Sequence, residues 1–279
     1  MNIRYLLLRL IRHFTPEGVA RFLLKRRWLI RPGLESSDPL AAVDQYINAL
    51  AQHEKSIQGQ RVLVFGYGGR FAVGVELLKQ GASHVVLCDH FVLLDQERNL
   101  ELLPKYDEYL HLVNGEVLPR PEHITLLHGD IRDDEIQAQI PAVDLVLSTS
   151  VYEHLGDVDG ITSALAKLTI PQGTHLHFID LRDHYFKYPF EMLSFSKNIW
   201  VNFLNPTSNL NRFRLKDYEK IFKSYFKKTD TTVLQRQEYE FQKARARIRS
   251  EFLIGDETVD SVTLIYILAE SPVREINYA

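Results

Sequence analysis

Three glycines within four positions close a short apolar run early in the chain. The segment "VLVFGYGGRF", from Val62 to Phe71, carries glycine at positions 66, 68 and 69. Glycine adopts backbone conformations that other residues avoid, and its missing side chain lets main-chain N–H groups approach a ligand closely. The pattern predicts a buried strand that ends in a ligand-binding turn built around Gly66 and Gly68.

Carboxylates stand at the ends of the next two apolar runs. Asp89 follows Val85–Cys88, and Asp130 follows Ile124–Leu127. An acid roughly 20 residues after such glycines can accept hydrogen bonds from the ribose hydroxyls of a bound nucleoside. Asp130 is placed to accept one from an adenine amino group. Together these residues predict a cofactor that contains a nucleoside, and they leave its identity open.

The dinucleotide fingerprint G-x-G-x-x-G is incomplete in this chain. Its third glycine would fall at position 71, which is Phe71. This departure counts against a nicotinamide cofactor. A nicotinamide-dependent oxidoreductase therefore stays as the weaker alternative.

The densest polar cluster of the chain lies in "IDLRDHYFKYPFEML", Ile179 to Leu193. Histidine suits proton removal near neutral pH, because its unperturbed pKa is about 6.5. We predict His184 or Asp183 as the proton acceptor of a reaction, and His154 as a further candidate. In the alternative interpretation these side chains only brace loops, through Asp–Arg salt bridges and hydrogen bonds. The spacing is not diagnostic of a metal site, and no metal is assigned.

Strands and helices alternate along the middle of the chain and would position these residues. Apolar runs recur at Val62–Phe65, Val85–Cys88, Ile124–Leu127, Val143–Leu147 and Leu176–Ile179, with helix-like stretches at 71–80, 93–112, 134–139 and 157–167 between them. Such alternation predicts a parallel sheet with helices on both faces, an α/β doubly wound fold. Ligands of these folds bind at the carboxyl ends of the strands, where the residues above fall.

Four segments resemble the class I S-adenosylmethionine-dependent methyltransferases. "VDLVLSTSVYEHL", Val143 to Leu155, is similar to their fourth-strand segment; "HGDIRD", "VVLCDH" and "VLVFGYGG" are similar to the ends of their third, second and first strands. The resemblance implies a mostly parallel seven-stranded sheet, completed by strands near residues 229 and 260. Within this family, the chain is most similar to the subgroup associated with small-molecule, glycan or lipid acceptors.

The resemblance also implies S-adenosyl-L-methionine as the cofactor. It would be lined by a set of residues at the strand ends, namely Gly66, Gly68, Asp89, Asp130 and Ile131, with Ser148 nearby. Two departures stand against it: Val64 replaces the usual acid before the first glycine, and Arg70 occupies the usual place of the third. They keep open a catalytically inactive module that binds the cofactor.

The N-terminal region is basic while the rest of the chain is acidic. Residues 1–31 hold eight Lys and Arg and the single acid Glu17, a net charge of +7 against −3 for the whole chain. Apolar spacing predicts helices at 3–13 and 16–29. Either their apolar stripes pack on the rest of the protein, or the region rests on an anionic membrane surface.

We divide the chain into a helical extension, residues 1–58, and a methyltransferase-like domain, residues 59–279, with an insertion at about 181–212. The lone Cys88 rules out an intramolecular disulfide, and no apolar run of 18 residues occurs. We therefore expect a cytoplasmic protein, either free or peripheral at a membrane. The acidic remainder of the chain argues against a nucleic-acid partner.

Overall fold

The computed structural model describes residues 3–16, 19, 38–185, 187–206 and 208–273. Nine strands occur in these residues: β1 Arg61–Phe65, β2 His84–Asp89, β3 Leu110–Val113, β4 Glu116–Pro119, β5 Ile124–His128, β6 Val143–Thr149, β7 Thr169–Asp180, β8 Phe226–Arg236 and β9 Val262–Pro272. Seven of them form one sheet in the order β5-β2-β1-β6-β7-β9-β8, and β3 pairs with β4 in a separate hairpin. Strand β9 runs antiparallel to both of its neighbours, while the other pairs of the large sheet are parallel. The predicted mostly parallel seven-stranded sheet is confirmed.

The described α-helices are α1 Ile3–Phe14, α2 Pro39–Gln52, α3 Ala72–Lys79, α4 Gln96–Leu102, α5 Asp134–Gln137, α6 Val158–Leu168, α7 Lys197–Ile199, α8 Leu215–Tyr225, α9 Glu238–Arg245 and α10 Glu257–Asp260. Side-chain caps fix several starts. The carboxylate of Asp38 accepts from the N–H of Ala41 ahead of α2, and that of Asp157 accepts from Gly160 in α6. None of the described helices is both long and apolar enough to cross a membrane.

Alternate residues of each central strand enter two separate cores. Val62 and Val64 of β1 face a core that contains α2 and α3, whereas Leu63 and Phe65 face the core under α6 and α8. This two-sided burial explains the uninterrupted apolar runs of the sequence. Because α2 shares the first core with β1, this helix packs against the sheet. The domain boundary at residue 58 stays a prediction.

The predicted helix over 93–112 is wrong in its second half. Helix α4 ends at Leu102, ahead of Pro104, and the β3–β4 hairpin follows. Asn114 and Gly115 form its turn with φ of 51° and 86°. Such Asn-Gly turns match the twist of a two-stranded hairpin, so the sequence did carry the signal.

A third core joins α1 to the insertion. Tyr5 packs there with Phe195 and Trp200, and with Phe241 of α9. The insertion itself contains the turns Glu191–Ser194 and Trp200–Leu204. The second predicted N-terminal helix, at 16–29, lies almost entirely outside the described residues.

Helix α1 turns a polar face inward. The guanidinium of Arg9 forms a buried ion pair with Asp183, and the hydroxyl of Tyr5 donates to the same carboxylate at 2.5 Å. The Asp183 carboxylate also accepts from the N–H of Tyr185 at 2.8 Å. Burial raises the pKa of Asp183 above its ordinary value, although Arg9 opposes that shift. The ion pair thus fixes which side of α1 faces the protein.

Replacing Arg9 by methionine is expected to lower the free energy of unfolding by about 3–5 kcal/mol, because Asp183 would be left buried without its cation. The same change at Arg4, which is exposed, should alter it by less than about 0.5 kcal/mol. Urea unfolding followed by circular dichroism measures both. Adding Asp183→Asn to Arg9→Met should restore part of the lost free energy of unfolding. Equal stability of Arg9→Met and Arg4→Met would contradict a stabilising role of the Arg9–Asp183 ion pair.

Candidate active site

The turn after β1, here called the glycine corner, contains Gly66, Gly68 and Gly69 and has no room for side chains at two of them. Gly66 and Gly69 have φ of 78° and 77°. A Cβ on Gly66 would lie 2.5 Å from Cγ2 of Val151, and one on Gly69 would lie 2.3 Å from the carbonyl oxygen of Leu93. The corner is therefore closed on one side by the segment after β6 and on the other by the loop after β2.

Asp89 connects the corner to the loop after β2. Its Oδ1 accepts from the N–H groups of Phe91 and Val92, each at 2.9 Å, and its Oδ2 accepts from that of Gly68 at 3.1 Å. Oδ2 has one such bond and retains capacity for another. The predicted ribose-binding carboxylate is thus already held in place by main-chain donors and can still accept from a hydroxyl.

Asn99 also holds the corner, and the sequence analysis missed it. Its side-chain amide accepts from the N–H of Phe71 at 2.9 Å and donates to the carbonyl of Gly69 at 3.0 Å. Phe71 is fully buried, and its ring stacks on Tyr67. The position where a dinucleotide fingerprint requires glycine is thus occupied by a core side chain. A buried asparagine near the start of a helix gives little signal in a single sequence.

The same tetrapeptide pattern occurs at the carboxyl ends of β5 and β7. The sequence analysis missed this repetition. Asp130-Ile131-Arg132-Asp133 and Asp180-Leu181-Arg182-Asp183 share the pattern D-x-R-D. In both, the first aspartate accepts from the main-chain N–H and the guanidinium of the arginine two residues later, with contacts of 2.9 Å to its Oδ1. These hydrogen bonds orient Asp130 and Asp180 at the carboxyl edge of the sheet.

Arg132 also reaches Asp157 with a 2.8 Å hydrogen bond. Its hydrogen bonds lower the pKa of Asp130 to about 2. Asp130 is therefore ionised and acts as an acceptor. Ile131, predicted beside it, is buried in the second core.

Ser148 starts a hydrogen-bonded chain that runs back through the sheet. Its Oγ lies 2.7 Å from Nδ1 of His177, whose Nε2 lies 3.2 Å from Nδ1 of His175. Nε2 of His175 lies 2.8 Å from Oγ1 of Thr169, which donates to the carbonyl of Leu165. A carbonyl only accepts, so every proton in the chain points away from Ser148.

The direction of the chain has a consequence for Ser148. Its hydroxyl proton is committed to His177, so toward a ligand it can only accept. Both histidines are fully buried, and burial lowers the pKa of His177 to about 3 and that of His175 well below 6.5. They are neutral near pH 7 and pack inside the protein.

His154 and His184 meet at the carboxyl edge, next to Glu153. Their rings pack edge to face with centroids 4.8 Å apart. Nδ1 of His154 lies 2.9 and 2.8 Å from the carbonyl oxygens of Ser208 and Asn209. Because carbonyls only accept, Nδ1 carries the proton and Nε2 keeps a lone pair. Desolvation lowers the pKa of His154.

Asp183 differs from the other two predicted catalytic residues in its exposure to solvent. Asp183 is completely buried in the ion pair with Arg9, whereas His184 is solvent-exposed beside His154. The pair His154–His184 is therefore the predicted set that the structure brings together at an accessible edge.

No protein-family model matches the chain, and no curated protein matches it. Solved structures do. A candidate sarcosine dimethylglycine methyltransferase from Galdieria sulphuraria superposes with a TM-score of 0.52 at 13% identity, over 83% of this chain and 86% of its own. A geranyl diphosphate C-methyltransferase from Streptomyces coelicolor A3(2) gives a TM-score of 0.48 at 12% identity, over 82% and 76%. The first of these likenesses shows that the chain shares a methyltransferase fold.

The stability of the protein is expected to fall below about pH 6.5 because of the buried histidines. Their folded-state pKa values lie below the unfolded value, so the stability they contribute is present above pH 6.5 and is lost as the pH falls toward the folded pKa. For His177, with a folded pKa of about 3, the loss between pH 7 and 5 is about 2 kcal/mol.

The variant His177→Gln removes this titration and should flatten the curve of unfolding free energy against pH by about that amount. His128→Gln, at an exposed position, should keep the parent's slope. Urea unfolding at several pH values compares the three proteins. The same slope in parent and His177→Gln would contradict neutral burial of this ring.

Proposed function

We propose that this protein is an S-adenosylmethionine-dependent methyltransferase. The observation that carries the proposal is the meeting of three strand ends at one edge of the sheet. The strands β1, β2 and β5 are adjacent. The glycine corner follows β1, Asp89 ends β2, and Asp130 follows β5. Ligands of doubly wound folds bind at this edge. The shared fold supports the same conclusion.

The residues present fit such a cofactor at the nucleoside end. Asp89 would accept from the ribose and Asp130 from the adenine amino group, while Ser148 lies near the end of β6 with its side chain fully buried. The methionine end has a weaker match, because Val64 is fully buried in β1 and offers no carboxylate. Its amino group would need another acceptor, which is why an inactive binding module remains the second candidate.

The cofactor supplies an electrophilic methyl group on a sulfonium. Transfer forms a bond from the acceptor oxygen, nitrogen or carbon to the methyl carbon as the sulfur–carbon bond breaks, leaving S-adenosylhomocysteine. The protein must align the acceptor and take any proton it loses. His154 and His184 are proposed for that work, since both lie at the accessible edge and His154 keeps the lone pair of its Nε2 free of the contacts to Ser208 and Asn209. Asp183 is proposed as the support that holds the segment of His184 in place.

Asp89→Asn is expected to weaken S-adenosylmethionine binding by roughly 10- to 100-fold, since a charge-assisted hydrogen bond is worth about 1.5–3 kcal/mol. The amide oxygen of asparagine can keep the main-chain contacts of the loop. Asp107→Asn, at an exposed position, is the control and should bind as the parent does. Equilibrium dialysis with labelled cofactor measures all three.

Equal affinity in the parent and Asp89→Asn would overturn the assignment of the site. Binding of NAD in preference to S-adenosylmethionine would favour the oxidoreductase. Binding without methyl transfer to any compound of a metabolite mixture would favour the inactive module.

We further propose that the acceptor is lipid-linked and that α1 rests on an anionic membrane surface. The face of α1 opposite the Asp183 anchor exposes Ile3 (73%), Leu7 (59%), Ile11 (58%) and Phe14 (66%) to solvent. Of the predicted apolar stripe of α1, Leu6 and Leu10 pack inward against the third core. An exposed apolar stripe with flanking basic residues is typical of helices that lie in a membrane interface.

The surroundings of α1 support the same surface. The helix lies against the turn Trp200–Leu204, where Val201 and Phe203 are half exposed. Arg4 is exposed on α1 itself, and residues 1–31 carry a net charge of +7. Each basic residue near an anionic bilayer contributes about 1 kcal/mol. The combination favours a lipid surface over a purely apolar protein partner.

The double variant Leu7→Glu/Ile11→Glu is expected to weaken binding to anionic vesicles more than about tenfold, because it places charge where apolar side chains would enter the interface. Ile254→Glu changes a comparably exposed residue elsewhere and should bind as the parent does. Co-sedimentation with phosphatidylglycerol and phosphatidylcholine vesicles at low and high salt measures binding. No preference of the parent for the anionic vesicles would contradict the proposal.

A further inference from the structure

Glu153 is a buried carboxylate without a hydrogen-bonding partner. Only 3% of the residue is exposed, and neither carboxylate oxygen accepts a hydrogen bond from any described residue. The main-chain N–H groups of Glu153 and Asp180 lie near enough to stabilise its charge in part, yet burial raises its pKa well above the ordinary value. Buried carboxylates are normally paired, so this arrangement calls for a missing partner.

The neighbouring carboxylates already have cations of their own. Asp180 is bonded in a fork by the guanidinium of Arg182, and Asp183 is paired with Arg9. The charge of Asp180 raises the pKa of Glu153 further, and the charge of Arg182 lowers it. Glu153 is therefore the buried carboxyl group of this cluster that forms no ion pair within the described residues, and a cation bound beside it would favour its ionised form.

One ligand atom each from Glu153, His154 and His184 lies within 4.8 Å of the other two. In a tetrahedral site with bonds of about 2.0–2.2 Å the ligand atoms stand roughly 3.4 Å apart. Small rotations of the side chains would close the difference. Two imidazoles and one carboxylate are a donor set suited to zinc and similar transition metals, and not to magnesium or calcium.

The orientation of His154 is the one that metal-bound histidines adopt. Its Nδ1–H donates to the carbonyl oxygens of Ser208 and Asn209, which leaves the lone pair of Nε2 for a ligand. The amide of Asn209 in turn donates to the carbonyl of His154 at 2.9 Å. Ser208 and Asn209 thus hold the ring in place, as outer hydrogen-bonding partners do at metal sites.

We propose that Glu153, His154 and His184 form a binding site for one divalent transition-metal ion, with zinc as the reference ion. Three protein ligands leave one coordination position open. The ion would compensate Glu153 and tie the turn after β6 to the start of the insertion. The site lies in the acceptor region proposed above, but metal binding requires neither cofactor nor acceptor, so the two proposals fail separately.

Calorimetric titration of chelator-treated protein with zinc chloride tests the site. We expect one equivalent to bind, and a large excess of magnesium not to compete. Changes to outer partners of a metal cost about 10- to 100-fold in affinity, so loss of a ligand in Glu153→Gln or His184→Ala should cost more than about 100-fold. His128→Ala removes an exposed histidine outside the cluster and should bind as the parent does.

Two further measurements keep the test independent of folding. In the presence of chelator, Glu153→Gln should melt at or above the parent's temperature, because it removes a buried carboxyl group that has no hydrogen-bonding partner among the described residues. Zinc should raise the melting temperature of the parent alone. Cobalt should give the intense visible bands of a four-coordinate ion in the parent and lose them in both ligand variants. Failure of the parent to bind zinc, or unchanged affinity in Glu153→Gln and His184→Ala, would overturn the proposal.

Discussion

The buried ion pair of Arg9 with Asp183 determines how α1 packs against the insertion. It pulls a polar face of α1 against the insertion, and Tyr5 follows it into the third core. An ion pair with no access to water is stable only when both partners are present and further hydrogen bonds satisfy them. The position of α1 is therefore set by polar contacts, and its apolar side chains are left to face outward.

The same contact decides where His184 lies. Asp183 is held from one side by α1 and from the other by the N–H of Tyr185. The next residue along the chain is therefore brought beside His154 at the end of β6. The exposed stripe of α1 and the histidine pair are two consequences of one buried interaction, although they serve different proposals.

Polar groups at the carboxyl edge of the sheet differ in how completely they are satisfied. Asp89, Asp130 and Asp180 have main-chain or arginine donors, and Ser148 begins a chain of hydrogen bonds with a fixed direction. Glu153 stands apart, because it is buried and neither of its carboxylate oxygens accepts a hydrogen bond from the described residues. A buried polar group in this state is costly, and the cost marks it as the group at this edge that most needs an external partner.

The sequence by itself determined the sheet and the edge where a ligand binds. Continuous apolar runs can be buried on both faces only in a parallel sheet between helices, and the glycines and acids that follow the runs fall at one edge by topology alone. The errors of the sequence analysis were local: residues 103–112, which include the start of β3, were predicted as the second half of a helix. Apolar spacing also located α1, because the 3.6-residue period is a property of the chain.

Only the tertiary structure decided which face of α1 is buried, that Asp183 is an anchor, and that Glu153 lies with His154 and His184. The first two outcomes depend on contacts between residues 174 and 178 positions apart in the chain, and periodicity carries no information about such partners. A carboxylate at a given position is a proton acceptor, an ion-pair partner or a metal ligand according to which groups the fold places beside it and whether water can reach it.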